Sequence, residues 1–306
     1  MRSKLIVLII FAFFISTIAG CGSGEVLEQD FKFNTTEVTK PTVVIGRVPS
    51  ETVIQLLQEL EPLIEIIEKK TEVNVQFKFA NNYDEIINGM QNNKYDLAFL
   101  GPLAYVQYEN SSETISYQPL IKPVRYGNPY YRAIIFTYKN SGIKTLKQLE
   151  GRKIAFVDQT STSGYLFPLA KLLESGIDPQ KDMEKIDFLF RHDRVVRAVL
   201  EKKYEAGAVY KGARAQTLSK GQDPDELLPV LAETDKIPSE PLVIKKSFLK
   251  KNSELANSIL NVLLELDNSP KGKSILNNLG IDRYIPAKNE DYDPVRRVIK
   301  TLGKKS

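Results

Sequence analysis

From residue 42 onward, short β-branched or apolar runs alternate with longer stretches whose apolar residues recur at helical spacing. No other feature of the chain constrains its fold as strongly. TVVIGRV at 42–48 reads as a strand. Residues 52–70 carry Ile54, Leu57, Leu60, Ile64 and Ile67 at helical intervals. VNVQFKF at 73–79 alternates with period two, 83–91 fits a short helix, and DLAFL at 96–100 fits a short buried strand. Gly101-Pro102 breaks the pattern. AIIFTY (133–138), KIAFV (153–157), IDFLF (186–190), EAGAV (205–209) and LVIK (242–245) are further strands, with helices between several of them. Residues 168–174 read as helix, stopped at Ser175-Gly176. Beyond 245 the chain is expected to be helical, over 247–266, 271–279 and 295–302. Strand and helix periods in alternation predict an α/β architecture with sheets covered by helices. The stretches at 133–138 and 236–245 are the natural crossovers between two lobes, and small-ligand sites favour such interfaces.

The first residues set the compartment. Arg2 and Lys4 precede the apolar run LIVLIIFAFFI at 5–15, too short to span a bilayer, which takes roughly 20 apolar residues. Small and polar residues follow, so 1–20 reads as a signal peptide. Cys21 is the only cysteine, which excludes a disulfide within one chain. Ile-Ala-Gly-Cys resembles a bacterial lipobox. That resemblance implies a lipid thioether on Cys21, with 21–40 as a tether and more than one acyl chain holding the protein at a membrane. Apolar residues make up 42% of the chain and charged residues 26%, with a formal charge of +4 spread over segments of mixed sign. A nucleic-acid binder concentrates its charge on one basic face, so that class is disfavoured.

The most informative segment is DQTSTSGYLFP, 158–168. It follows a strand and opens a helix, bringing Ser161, Thr162, Ser163 and Gly164 to the turn. Backbone donors without intrahelical partners and a partial positive charge make such a turn an anion site. Gly164 would let the backbone approach a ligand closely. Simple N-capping by one hydroxyl is the competing reading. The loop has no Lys or Arg and the chain has no phosphate-binding GxxxxGK[ST] motif, so nucleotide hydrolysis is unsupported. His192, the only histidine, follows IDFLF and Arg191 and has either a structural or a ligand-facing role. Asp193 is expected to cap the helix 194–202.

STSGYLFP after a strand, His192-Asp193 some thirty residues on, EAGAV, DLAFLGPLAYV at 96–106, Asn82-Tyr83 and Tyr130-Tyr131-Arg132-Ala133 together resemble the phosphate/phosphite/phosphonate-binding proteins of ABC importers. The resemblance covers about residues 42–285. It implies the two-lobed periplasmic-binding type II fold, with mixed sheets flanked by helices and a hinge of two crossover strands. Lobe 1 would comprise 41–135 and 242–306, and lobe 2 136–241. It also implies that Ser161, Thr162 and Ser163 hold phosphoryl oxygens, that Tyr83 and Tyr131 donate phenolic bonds from the other lobe, and that His192 adds a bond, as imidazole or imidazolium. Glu240 would accept from a protonated ligand oxygen or an amine, or else is a plain surface charge. Tyr105 and Ser50 line the cleft or are core and cap residues. Arg47, Arg125 and Arg132 balance ligand charge at longer range or are solvated. The stretch after EAGAV, Tyr210-Lys211-Gly212-Ala213-Arg214, lacks the second acid expected of aminophosphonate binders, which favours a compact oxyanion.

The expected function is therefore a lipid-anchored, exported, monomeric substrate-binding protein. It would work with permease and ATPase subunits, without cofactor or metal, and would not be an enzyme. Two alternatives remain. One is an oxyanion receptor acting with a membrane signalling partner. The other is a hydrolase using Ser161 or Ser163 with His192, which lacks both a G-x-S-x-G elbow and a well-placed acid to orient the imidazole.

Overall fold

The computed structural model describes residues 40–303 except 50, 51, 113 and 115. Cys21, the expected leader 1–20, the tether apart from Lys40, and Ser50 lie outside the described residues.

The strand Thr42–Arg47 pairs in parallel with Asn74–Phe79 on one side and Leu97–Phe99 on the other. The connection between the first two is the helix Val53–Thr71. It starts where the Thr52 hydroxyl accepts from the Gln55 N–H, and it buries Leu56, Leu60, Leu63 and Ile67. That spacing of four, three and four places all of them on one face. Leu242–Lys245 adds antiparallel to Leu97–Phe99. Tyr117–Val124 and then Arg283–Pro286 complete six strands. The second sheet has five strands, in the order Val230–Glu233, Ala133–Thr137, Ala206–Tyr210, Lys153–Phe156, Lys185–Phe188. Its last three strands run parallel, and all five residues of Ala133–Thr137 are buried.

The chain passes between the sheets twice. The two passages pair with each other as a short antiparallel ladder, Tyr131 opposite Ile237 and Tyr130 opposite Pro238. Ala133–Thr137 therefore belongs to the interior of the second sheet, and the crossing lies just before it.

One apolar cluster joins the two halves. Leu103, Ala104 and Tyr105 from the helix Pro102–Ser111 meet Ala133 and Ile237 at the passages. Leu166 and Phe167 approach from the second sheet's side, and Tyr292 and Val295 from the C-terminal segment. Each of the cluster's Leu, Ile, Val and Phe side chains, when fully buried, contributes about 1.5–3 kcal/mol.

Three strands of the two large sheets escape the periodicity reading, as do the two-residue strands Tyr130–Tyr131 and Ile237–Pro238. Tyr117–Val124 carries Pro119 and Pro123, which ordinarily argue against an interior strand. A register shift between Leu242 and Val243, beside Pro119, accommodates the break. Val230–Glu233 and Arg283–Pro286 are four residues each, too short to show a period. The expected all-helical C-terminal region is thus interrupted by a sheet strand. The 247–266 helix is also split, into Lys246–Lys251 and Ser253–Leu264.

Candidate functional site

The strand Lys153–Phe156 leads into a turn in which Asp158 accepts twice: its side chain from the Thr160 N–H at 2.7 Å and its carbonyl from the Ser161 N–H at 2.9 Å. The next turn is wide. The Leu166 and Phe167 N–H groups reach back five residues, to the Ser161 and Thr162 carbonyls, before the helix Phe167–Glu174 begins. Wide turns of this kind recur at functional sites. Ser161 Oγ accepts from the Gly164 N–H at 3.0 Å. The N–H groups of Thr162 and Ser163, in the first turn, have no acceptor within the helix.

Ser161, Thr162 and Ser163 are buried yet line a cleft of about 750 Å³. Residues from both sheets face it. Asn82 caps the helix Tyr83–Gln91 by accepting from the Glu85 N–H at 2.9 Å, which fixes Tyr83 as the first helical residue. The Tyr83 phenol lies within hydrogen-bonding reach of Ser161, and the Tyr131 phenol, from the crossing ladder, within reach of Ser163. Burial pushes Tyr83 up to about 12 and Tyr131 higher still, with Glu240 adding to both. Both phenols therefore stay protonated and able to donate.

Thr162 makes a different bond across the halves. Its Oγ1 accepts from the Leu103 N–H at 2.8 Å. Leu103 sits in the first turn of the helix Pro102–Ser111, whose cap residue Gly101 has no side chain to do this. The hydroxyl keeps its own proton for donation.

His192 begins the helix His192–Leu200, lines the cleft and packs edge-on against Tyr210 at 4.7 Å. Its Nδ1 is buried without a hydrogen-bond partner among the described residues. Burial lowers its pKa to about 3 against a small opposing pull from Asp193. The imidazolium expectation is therefore corrected: His192 is a neutral imidazole. Asp193 is not the cap of this helix. It lies within the first turn, where its carboxylate takes both Nε (2.9 Å) and a terminal nitrogen (2.6 Å) of Arg191.

Glu240 faces the cleft but is not a plain surface charge. Arg125, on the same wall, holds it in a two-point ion pair at 2.6 and 3.1 Å. Burial works to raise the Glu240 carboxyl, but the Arg125 guanidinium outweighs it and holds the group below the usual carboxylate range. Arg47 and Arg132 also line the cleft.

Two expected site residues lie elsewhere. Tyr105 is fully buried; its ring packs edge-on against Tyr292, and its hydroxyl donates to Glu109 at 3.0 Å. Gly164 does not line the cleft. An added Cβ there would sit 2.4 Å from the Val157 Cβ, so the glycine lets the turn press on the preceding strand.

Sequence reasoning missed Tyr126, Tyr130, Tyr210, Lys211, Lys236 and Tyr284, all of which line the cleft. Strand register is the signal that could have found several of them: Tyr130, Tyr210 and Tyr284 are paired strand residues, and Lys211 and Lys236 adjoin paired ones. Among the lining residues, five cations (Arg47, Arg125, Arg132, Lys211, Lys236) face two carboxylates (Glu59, Glu240), a balance that favours an anionic guest. Among the described residues, no cluster of three or more His, Cys, Asp or Glu side chains is arranged to hold a metal ion.

The profile of a protein family described as the phosphonate periplasmic substrate-binding protein of ABC transporters matches residues 45–292. The phosphate-import protein PhnD of Mycolicibacterium smegmatis is 33% identical over 165 residues, covering 53% of this chain and half of that relative's length. The phosphonates-binding periplasmic protein of Escherichia coli is 24% identical across 97% of this chain and 85% of its own length. Among solved structures, PhnD1 of Prochlorococcus marinus in complex with methylphosphonate superposes with a TM-score of 0.76. The sequences are 21% identical, and the match covers 86% of this chain and 98% of that one. A binding-protein component of a phosphonate transporter from Pseudomonas aeruginosa gives 0.75 at 22% identity, over 85% of each chain. The fold is that of the type II periplasmic binding proteins.

Proposed function

The chain belongs to the family of phosphonate periplasmic substrate-binding proteins of ABC transporters, and from that premise we propose that it captures a small phosphoryl oxyanion and delivers it to a membrane importer. One observation carries the choice of site: the Ser161 and Ser163 hydroxyls each stand beside a protonated phenol from the opposite side of a cationic cleft. Backbone and hydroxyl donors in a water-poor site bind an oxyanion strongly, because charge-assisted bonds gain in low dielectric.

In this reading two lobes, one on each large sheet, close on the ligand about the paired crossing strands; their boundary falls at the passages 130–131 and 237–238, ahead of Ala133–Thr137, and not at 135/136. The protein is exported, acts as a monomer and is held at the membrane by lipid on Cys21. Permease and ATPase subunits are its partners. It binds without catalysis, so ligand is recovered unchanged.

Calorimetry of the purified protein against phosphate, phosphite, methylphosphonate and 2-aminoethylphosphonate tests this. At least one binds with a Kd below about 10 μM. Ser161→Ala and Ser163→Ala each weaken that binding by about 1–3 kcal/mol, the cost of a buried polar group left unmatched. No binding of any of the four, or unchanged affinity in both variants, refutes the assignment.

A further inference from the structure

The cleft is larger than a bare oxyanion needs. Its volume of about 750 Å³ lies in the range of sites that hold whole organic ligands. The phosphoryl donors at residues 161–163 occupy one part of it. The character of the remainder decides what else the ligand carries.

Strand register gathers three cations next to that part. Tyr131 pairs with Ile237, so Arg132, which follows Tyr131, and Lys236, which precedes Ile237, come side by side on the antiparallel ladder. Ala133 pairs with Tyr210, and the Lys211 N–H donates to the Arg132 carbonyl at 3.0 Å, which sets Lys211 against Arg132 on the other flank. All three side chains line the cleft. A single carboxylate answers them: Glu233 pairs with Lys211 and lies 3.8 Å from Arg132. Lys236 is exposed and makes no ion pair among the described residues. His192 and Tyr210, ring against ring, line the same cleft, with His192 Nδ1 buried and unpartnered.

The two lining carboxylates do not reverse this balance. Both oxygens of Glu240 are engaged by the Arg125 guanidinium. Glu59 stands on the helix Val53–Thr71, which belongs to the other sheet, where it accepts from the Gln55 side chain at 3.4 Å. An ammonium placed against the strip of Arg132, Lys211 and Lys236 meets cations, whereas a second acid group there meets the unpaired charge of Lys236.

We propose that the ligand is an organophosphonate bearing a second anionic group, a short phosphonocarboxylate being the simplest, with its phosphoryl end at Ser161–Ser163 and its carboxylate against Arg132, Lys211 and Lys236. This rests on the phosphoryl reading above. It makes Lys236 a specificity determinant, the one cation of the strip without a protein counter-charge.

Two probes of similar length and opposite terminal charge test it, 3-phosphonopropionate and 2-aminoethylphosphonate, with methylphosphonate as the bare reference. In calorimetry with the purified protein, 3-phosphonopropionate binds at least about tenfold tighter than 2-aminoethylphosphonate, the factor expected from one added attraction exchanged for a repulsion near a protein surface. Lys236→Glu, an exchange at an exposed position whose fold is checked by its melting temperature, reverses the order. A wild-type protein that binds the amine as tightly as the acid, or a Lys236→Glu variant with an unchanged ratio, overturns the inference. If methylphosphonate binds and the added carboxylate gains nothing, only this inference falls. If none of the three binds, this inference falls, and if phosphate and phosphite also fail to bind, the phosphoryl reading falls with it.

Discussion

At Gly164 the glycine serves packing. With the Val157 side chain 2.4 Å and Ser161 Oγ 2.8 Å from where a Cβ would stand, Gly164→Ala must shift either the strand end or the capping serine. A loss of about 1–3 kcal/mol in urea unfolding is expected, typical of an overpacked core, and an unchanged midpoint would contradict the close approach. His192 yields a pH prediction. Its folded pKa is about 3, against about 6.5 for an unperturbed histidine. Between those values the unfolded chain holds a proton that the folded chain does not, so stability falls as pH drops through that window. The slope from this group approaches about 1.4 kcal/mol per pH unit. His192→Gln should lack that component when unfolding curves from pH 4 to 7 are compared, and parallel curves would count against a buried neutral ring. The three-hydroxyl run and the lone histidine were legible because each is a local sequence feature. The neutral state of His192, the pairing of Glu240 with Arg125 and the core placement of Tyr105 were not legible, since each depends on neighbours distant in sequence.

Among elements, the helix Pro102–Ser111 shows how little the chain reveals of what caps it. Gly101-Pro102 reads as a break, yet Pro at the first helical position is favourable, and the missing cap is supplied from the second sheet's side by Thr162. Thr162→Val keeps shape but strands the buried Leu103 N–H. It should lower stability by about 1–3 kcal/mol in denaturant titration, and a neutral effect would show that the bond contributes nothing. Parallel strands and amphipathic helices were readable because burial imposes a period on them. Tyr117–Val124 was not, because its two prolines mimic a loop and its antiparallel partners come from much later in the chain.

At the scale of the whole molecule, the apolar cluster running from Leu103 through Ala133 and Ile237 to Leu166 and Val295 ties both sheets' coverings into one core. Halves that share a core unfold together. Scanning calorimetry should therefore show one cooperative transition for residues 40–303, and two well-separated peaks would contradict a shared core. At the mouth of the cleft, the turn at residues 125–128 carries Tyr126 in a left-handed conformation, φ 51°, with 90% of its surface exposed. The chain contains no tryptophan. Tyr126→Trp would thus install a lone indole where the solvent environment changes on occupancy, turning the protein into its own fluorescent gauge of ligand arrival without any attached dye.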